Sequence, residues 1–200
     1  MPLFKALGAV AIACALISGA ATRAAESIPS HYKDLYFDAA RAGRADLLGG
    51  MIKDGFPVDE RDGHGYTALI LAAYDGHLDT VQFLLARGAD PCAVDQKGDN
   101  ALMGVAFKGE TLIAEALVSR CDVNTTNRSG QTAAMMAVLF GHQDIVRLLA
   151  AHGAKLGMRD ALGNSAGSLA HQQGNVEMEA LIAQLDPRDQ TQAAAMGTSK

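Results

Sequence analysis

Residues Asp62–Val94 read DGHGYTALILAAYDGHLDTVQFLLARGADPCAV, and the other segments of the folded part of the chain are degraded copies of this stretch. Thr67 carries a side-chain oxygen suited to capping a helix, and Leu69, Ala72 and Ala73 follow it at helical spacing. Gly76 supplies the left-handed residue that ends such a helix. A second helix is predicted at once: Asp79 puts a negative charge in its first turn, Val81, Leu84 and Leu85 form its apolar stripe, and Gly88 stops it. Asp62-Gly63-His64-Gly65 reads as a tight turn at a hairpin tip.

The same markers recur along the chain. Capping residues fall at Asp34, Thr67, Asn100, Thr132 and Ser165, at intervals of 33, 33, 32 and 33, and the helix-ending glycines Gly43, Gly76, Gly109, Gly141 and Gly174 keep those intervals. The fold class predicted is an all-α repeat solenoid of five helix-turn-helix units with short hairpin loops. It covers residues 29–186 as one elongated domain, with units at 29–61, 62–94, 95–126, 127–159 and 160–186.

A turn and two short antiparallel helices per roughly 33 residues resembles the ankyrin repeat. The helix-start motif of that family, Thr-Pro-Leu-His, stands here as Thr67-Ala68-Leu69-Ile70, Asn100-Ala101-Leu102-Met103, Thr132-Ala133-Ala134-Met135 and Ser165-Ala166-Gly167-Ser168, with its proline and histidine absent throughout. Gly76-His77 and Gly141-His142, with Gly88-Ala89-Asp90 and Gly153-Ala154, match the family's later motif.

The ends differ from the centre. Met1–Ala25 has Lys5, then the apolar run Ala6–Ile17, then small residues around Ser18-Gly19-Ala20 and Thr22-Arg23-Ala24. This reads as a signal peptide over residues 1–24, with cleavage after Ala20 or Ala24, export to a bacterial periplasm and no membrane attachment afterwards. The apolar run is short for a membrane span. In the first repeat Asp34 is expected to start a helix with Leu35, Tyr36, Ala39 and Ala40 inward, and Leu47, Leu48, Met51 and Ile52 to line the second. The third repeat is one residue short where Cys121 stands, and the fifth has the polar Glu177, Glu179 and Gln184 expected of a cap. Residues 187–200 read as a disordered tail.

Without residues 1–24 the chain has 15 basic against 22 acidic residues, a balance unsuited to general nucleic-acid binding. His77 and His142 occupy one repeat position and are read as structural; His64, at a hairpin tip, is kept as a binding candidate. Asp59, Glu60 and Asp62 fail as a calcium loop because Arg61 interrupts the alternation and no glutamate closes it. Neither a metal site nor a cofactor nor an active site is expected. Cys92 and Cys121, the cysteines that remain after export, end adjacent repeats. A disulfide between them is one reading. Separate thiols are the other and the one favoured, since repeats stand about a sheet-packing distance apart and Cα atoms beyond about 7 Å cannot bridge.

The resemblance implies binding through a concave face of hairpin tips and exposed first-helix ends. The corresponding residues are Arg61, His64, Tyr66, Tyr74 and Asp75 in the second repeat and Lys97, Asp99, Phe107 and Lys108 in the third. The fourth offers Arg128, Gln131, Leu139 and Phe140, and the fifth Arg159, Leu162 and Asn164. Tyr74, Phe107 and Leu139 share one repeat position, so an apolar line flanked by basic residues is expected there, unless the rings fold back over their own repeats. The function this implies is that of a non-catalytic periplasmic monomer that binds another protein and stabilises or positions it. Exported ankyrin proteins of this size resemble accessory proteins linked with peroxide defence. An inhibitor or immunity factor covering an enzyme's active site is the alternative, and a small enzyme or ligand carrier using the groove is a third.

Overall fold

The computed structural model describes residues 30–186. The signal-peptide segment 1–24 and the tail 187–200 lie outside the described residues. Ten helices occur in the described part, in five pairs: α1 (Ser30–Arg41) with α2 (Ala45–Lys53), α3 (Ala68–Tyr74) with α4 (Leu78–Ala86), α5 (Ala101–Lys108) with α6 (Thr111–Leu117), α7 (Ala133–Leu139) with α8 (Gln143–Ala151), and α9 (Ala166–Gln172) with α10 (Val176–Leu185). The first helices of successive pairs pack in order, α1 on α3 on α5 on α7 on α9, and the second helices form a parallel outer row. This is the all-α repeat architecture expected from the period. The only β pairing among the described residues is an isolated bridge, Val94 to Asn100.

Capping works as the spacing predicts in four repeats. The side chains of Thr67, Asn100, Thr132 and Ser165 each accept a hydrogen bond from the backbone N–H three residues on, at 3.3, 2.9, 3.3 and 3.3 Å. Each such bond satisfies one donor that a helix start leaves open. The core between the rows contains Leu69, Leu84, Leu102, Ile113, Ile145 and Leu149, all buried, with alanines such as Ala72, Ala73, Ala106 and Ala137 where helices meet.

The first repeat departs from expectation. Asp34 is not a cap, because α1 is already helical at Ser30. Leu35 and Leu47 are not inward: they are 45% and 39% exposed. Each stands one residue ahead of the buried stripe of its helix, Tyr36, Phe37, Ala39 and Ala40 in α1 and Leu48 and Met51 in α2. A terminal repeat has a neighbour on one side only, so its stripe is narrower. Aromatic packing takes over there, with the Tyr36 and Phe56 ring centroids 4.3 Å apart and Tyr36 Oη donating to the Val58 carbonyl at 3.0 Å. Burial, followed by the charges of Asp59 and Glu60, pushes the Tyr36 phenol well above its ordinary range.

Two side-chain devices join neighbouring repeats. His77 Nε2 donates to the Arg41 carbonyl at 2.7 Å and His142 Nε2 to the Phe107 carbonyl at 3.1 Å, so each histidine satisfies a helix-end acceptor in the repeat before it. Gln173 does the same to Leu139, at 2.8 Å. Gly109 makes room for this: its φ is +87° and a Cβ there would stand 2.7 Å from the His142 ring.

The second device uses the matched positions Asp59, Cys92 and Asn124. Asp59 Oδ1 accepts from the Asp90 N–H at 2.9 Å, and Asn124 Oδ1 accepts from the Lys155 N–H at 2.7 Å, each reaching the next repeat. Between them Cys92 makes the same reach covalently. It is disulfide-bonded to Cys121 with the Cα atoms 5.6 Å apart. The favoured expectation of separate thiols is therefore corrected: the spacing of repeat bodies does not apply to this position, whose side chain crosses the gap in the first three repeats, while the fourth has Gly157 there.

The full chain should accordingly show one titratable thiol under denaturant, Cys14, and three after reduction; three before reduction would contradict the bond. With a sequence separation of 29, reduction should lower unfolding free energy by roughly 3–4 kcal/mol, read as a shift of the urea midpoint.

Candidate functional site

The face nearest the inner helices is edged by hairpin tips built on one repeated turn. Asp62, Asp95, Asn127 and Asp160 each turn one side-chain oxygen onto the N–H groups two and four residues on, at 2.7–2.9 Å in all eight bonds. Successive tips then bond backbone to backbone: the Gln96 N–H donates to His64, Arg128 to Lys97 and Ala161 to Ser129, at 3.0, 2.9 and 2.9 Å. Gly98 permits this approach, with φ +84° and a Cβ position only 3.0 Å from the Arg128 nitrogen. Partial burial raises the Asp160 carboxyl, but hydrogen bonds from Asn164, Leu162 and Gly163 outweigh it and hold the group below its ordinary range. This turn therefore stabilises the fold above the normal carboxylate range and loses that contribution as pH falls through the lowered value.

The basic residues expected on this face divide into two kinds. The Arg61 guanidinium donates to the carbonyls of Gly65 and Val94, and that of Arg159 to Gly163 at 2.6 Å, so both hold hairpins in place. The Lys97 and Arg128 side chains are exposed. Lys108 Nζ stands 4.9 Å over the Tyr74 ring.

The aromatic line is real but shifted. Tyr74 stacks on Phe107 at 5.9 Å and 22°, and Phe107 meets Phe140 at 4.1 Å. Tyr74 and Phe140 remain 40% and 48% exposed. Leu139, the residue at the matched repeat position, instead packs half-buried against the core. Phe140, the C-cap residue that follows α7, brings the ring to this face in its place.

Beside that line lies a cavity of about 480 Å³ that brings together Tyr66, Tyr74, Asp75, Lys97, Asp99 and Phe107 from the expected set. Arg41, Ile70, Leu71, Asp95, Asn100, Met103, Gly104 and Met136 complete its walls. His64, Arg128, Gln131, Arg159, Leu162 and Asn164 are not in it. His64 is exposed with its ring 5.9 Å from Tyr66, and Leu162 is almost fully exposed. Gln131 and Asn164 are engaged within their own repeats, Gln131 accepting from Asn127 at 3.3 Å and Asn164 donating to Asp160 at 3.2 Å and accepting from Gln172 at 2.8 Å. Arg41, Met103 and Gly104 are wall residues that the sequence reading missed. Among the described residues no His, Cys, Asp and Glu cluster could hold a metal, and no helix is long and apolar enough to cross a membrane.

A family model described as "Ankyrin repeats (3 copies)" matches residues 88–160, and one described as "Ankyrin repeat" matches residues 64–96. These are ankyrin repeats. Human ankyrin repeat domain-containing protein 63 is 37% identical over 111 residues, 53% of this chain and 29% of that protein. An ankyrin repeat-containing protein of Treponema pallidum is 33% identical over 142 residues, 68% of this chain and 46% of its own length. The dauer abnormal formation protein 25 of Caenorhabditis elegans is 37% identical over 90 residues, 44% of this chain and 23% of that protein. The chain thus spans less than half the length of each of these relatives. Ankyrin repeats as a family are protein-interaction modules, typically without catalysis.

The turn geometry makes a prediction. Asp95→Ala removes an acceptor shared by two backbone donors and should cost about 2–3 kcal/mol in chemical denaturation, whereas Asp95→Asn, which copies Asn127, should cost less than about 1 kcal/mol. Equal effects of the two would show that the side-chain oxygen does not organise the tip.

Proposed function

We propose that the chain is exported and acts in the periplasm as a non-catalytic monomer that holds a partner protein against the face of hairpin tips and inner helices. The observation that carries this is the partly exposed ring line Tyr74, Phe107 and Phe140 next to a ready-made cavity. Aromatic side chains left half in water on a rigid scaffold cost free energy unless something covers them, and such residues dominate binding at protein interfaces. Support for export comes from the n-region, apolar run and small-residue pattern of residues 1–24, and from the Cys92–Cys121 bond, which suits an oxidising compartment. A partner in peroxide defence is the first to test, on the resemblance to exported ankyrin proteins alone.

Capture from a periplasmic extract with the unaltered chain and with Phe107→Ala and Phe140→Ala tests the surface. The captured partner should fall by about tenfold or more for each variant, as expected of interface anchors. Equal recovery by all three chains would remove this face from the account. Assay of the captured partner separates support from inhibition: preserved or raised activity fits the proposal, and lost activity fits an inhibitor.

A further inference from the structure

One wall residue of the cavity beside the ring line stands out. Gly104 lies inside α5, where a helix disfavours glycine, and it is helical rather than left-handed, so no turn requires it. At the matched position the neighbouring repeats carry Leu71 and Met136, and the last carries Leu169. The missing side chain leaves a gap in that row, floored by Ile70, Leu71, Met103 and Met136 and walled by the Tyr74 and Phe107 rings. Among the described residues only the Tyr74 side chain comes near it: a Cβ on Gly104 would find the Tyr74 ring at 3.5 Å, an ordinary contact.

The mouth retains an acidic excess. Asp75, Asp95 and Asp99 face it against Arg41 and Lys97, with Lys108 Nζ over the Tyr74 wall at 4.9 Å, and the Arg41 guanidinium is already shared between Asp38 at 3.2 Å and Asp62 at 3.3 Å. Among the described residues the Asp75 carboxylate has no hydrogen-bond or ion-pair partner. We infer that this cavity receives an aromatic side chain from a segment of the partner protein in which that side chain is flanked by basic residues. The ring lies beside Gly104, between the Tyr74 and Phe107 walls and against the partly buried Met136, and a neighbouring ammonium or guanidinium pairs with Asp75 and the acidic mouth. This rests on the partner-binding reading above and names the chemistry of the partner.

The chain has no tryptophan, so a peptide's own tryptophan reports binding without background. Three synthetic peptides of about ten residues serve as probes: tryptophan between lysines, alanine in place of the tryptophan with a fluorescein label, and tryptophan between glutamates. The lysine–tryptophan peptide should bind with a blue shift of its emission, and the other two should bind at least tenfold more weakly. Gly104→Leu, which restores the side chain of the neighbouring repeat, should weaken the first peptide at least tenfold without lowering the thermal midpoint. Gly104→Ala, which fits without displacement, should weaken it about threefold. Asp75→Asn should weaken the lysine–tryptophan peptide and leave the glutamate–tryptophan peptide no weaker. Equal binding by the Gly104 variants, a preference for glutamate, or no binding of any peptide overturns the inference. Retained capture of a protein partner by Gly104→Leu, with loss by Phe140→Ala, overturns it while leaving the partner-binding reading intact.

Discussion

Helices of seven to twelve residues do not hold themselves together in water, and every helix in the described part of this chain lies in that range. Each pair gains its stability by burying a stripe against the next pair. The repeat interval, the small residues at helix contacts and the polar face of the last repeat all answer to this need. The same need explains why so many side chains are given to joining repeats rather than to chemistry. His77, His142 and Gln173 close helix ends across the gap, and Asp59, Cys92 and Asn124 fasten the loops on the other side.

A scaffold fastened in this way fixes its exposed groups with little freedom, which favours recognition of a partner by rigid complementarity. The hairpin tips are clamped by their own Asp or Asn and by backbone bonds to one another. Arg61 and Arg159, which from charge alone look like partner contacts, spend their guanidinium groups on this clamping. Groups of this face that remain exposed or partly exposed include the rings of Tyr74, Phe107 and Phe140, the Asp75 carboxylate and the Lys97 and Arg128 side chains, besides His64, Lys108 and Leu162.

The fold was legible because capping oxygens and helix-ending glycines repeat on independent registers, and both registers survive in the structure from Thr67 onward. The first repeat is less legible because an interior Asp34 falls on the cap register, and because Leu35 and Leu47 would be inward only with a preceding repeat to cover them. Phe140 and Leu139 could not be told apart by register, since the packing of α7 decides which one turns outward. For the disulfide, body-to-body spacing is a poor guide, because the matched residues Asp59 and Asn124 already reach the next repeat from that position. Gly104 departs from Leu71 and Met136 at one repeat position, but a glycine in a helix reads as a local weakness until the cavity it lines is seen.

The dependence of the fold on stacking is tested most directly by circular dichroism of two fragments, residues 62–94 and residues 62–159. The account predicts a coil spectrum without a melting transition for the single repeat, and a helical spectrum with cooperative melting for the three. A single repeat that is helical and melts cooperatively by itself would contradict it.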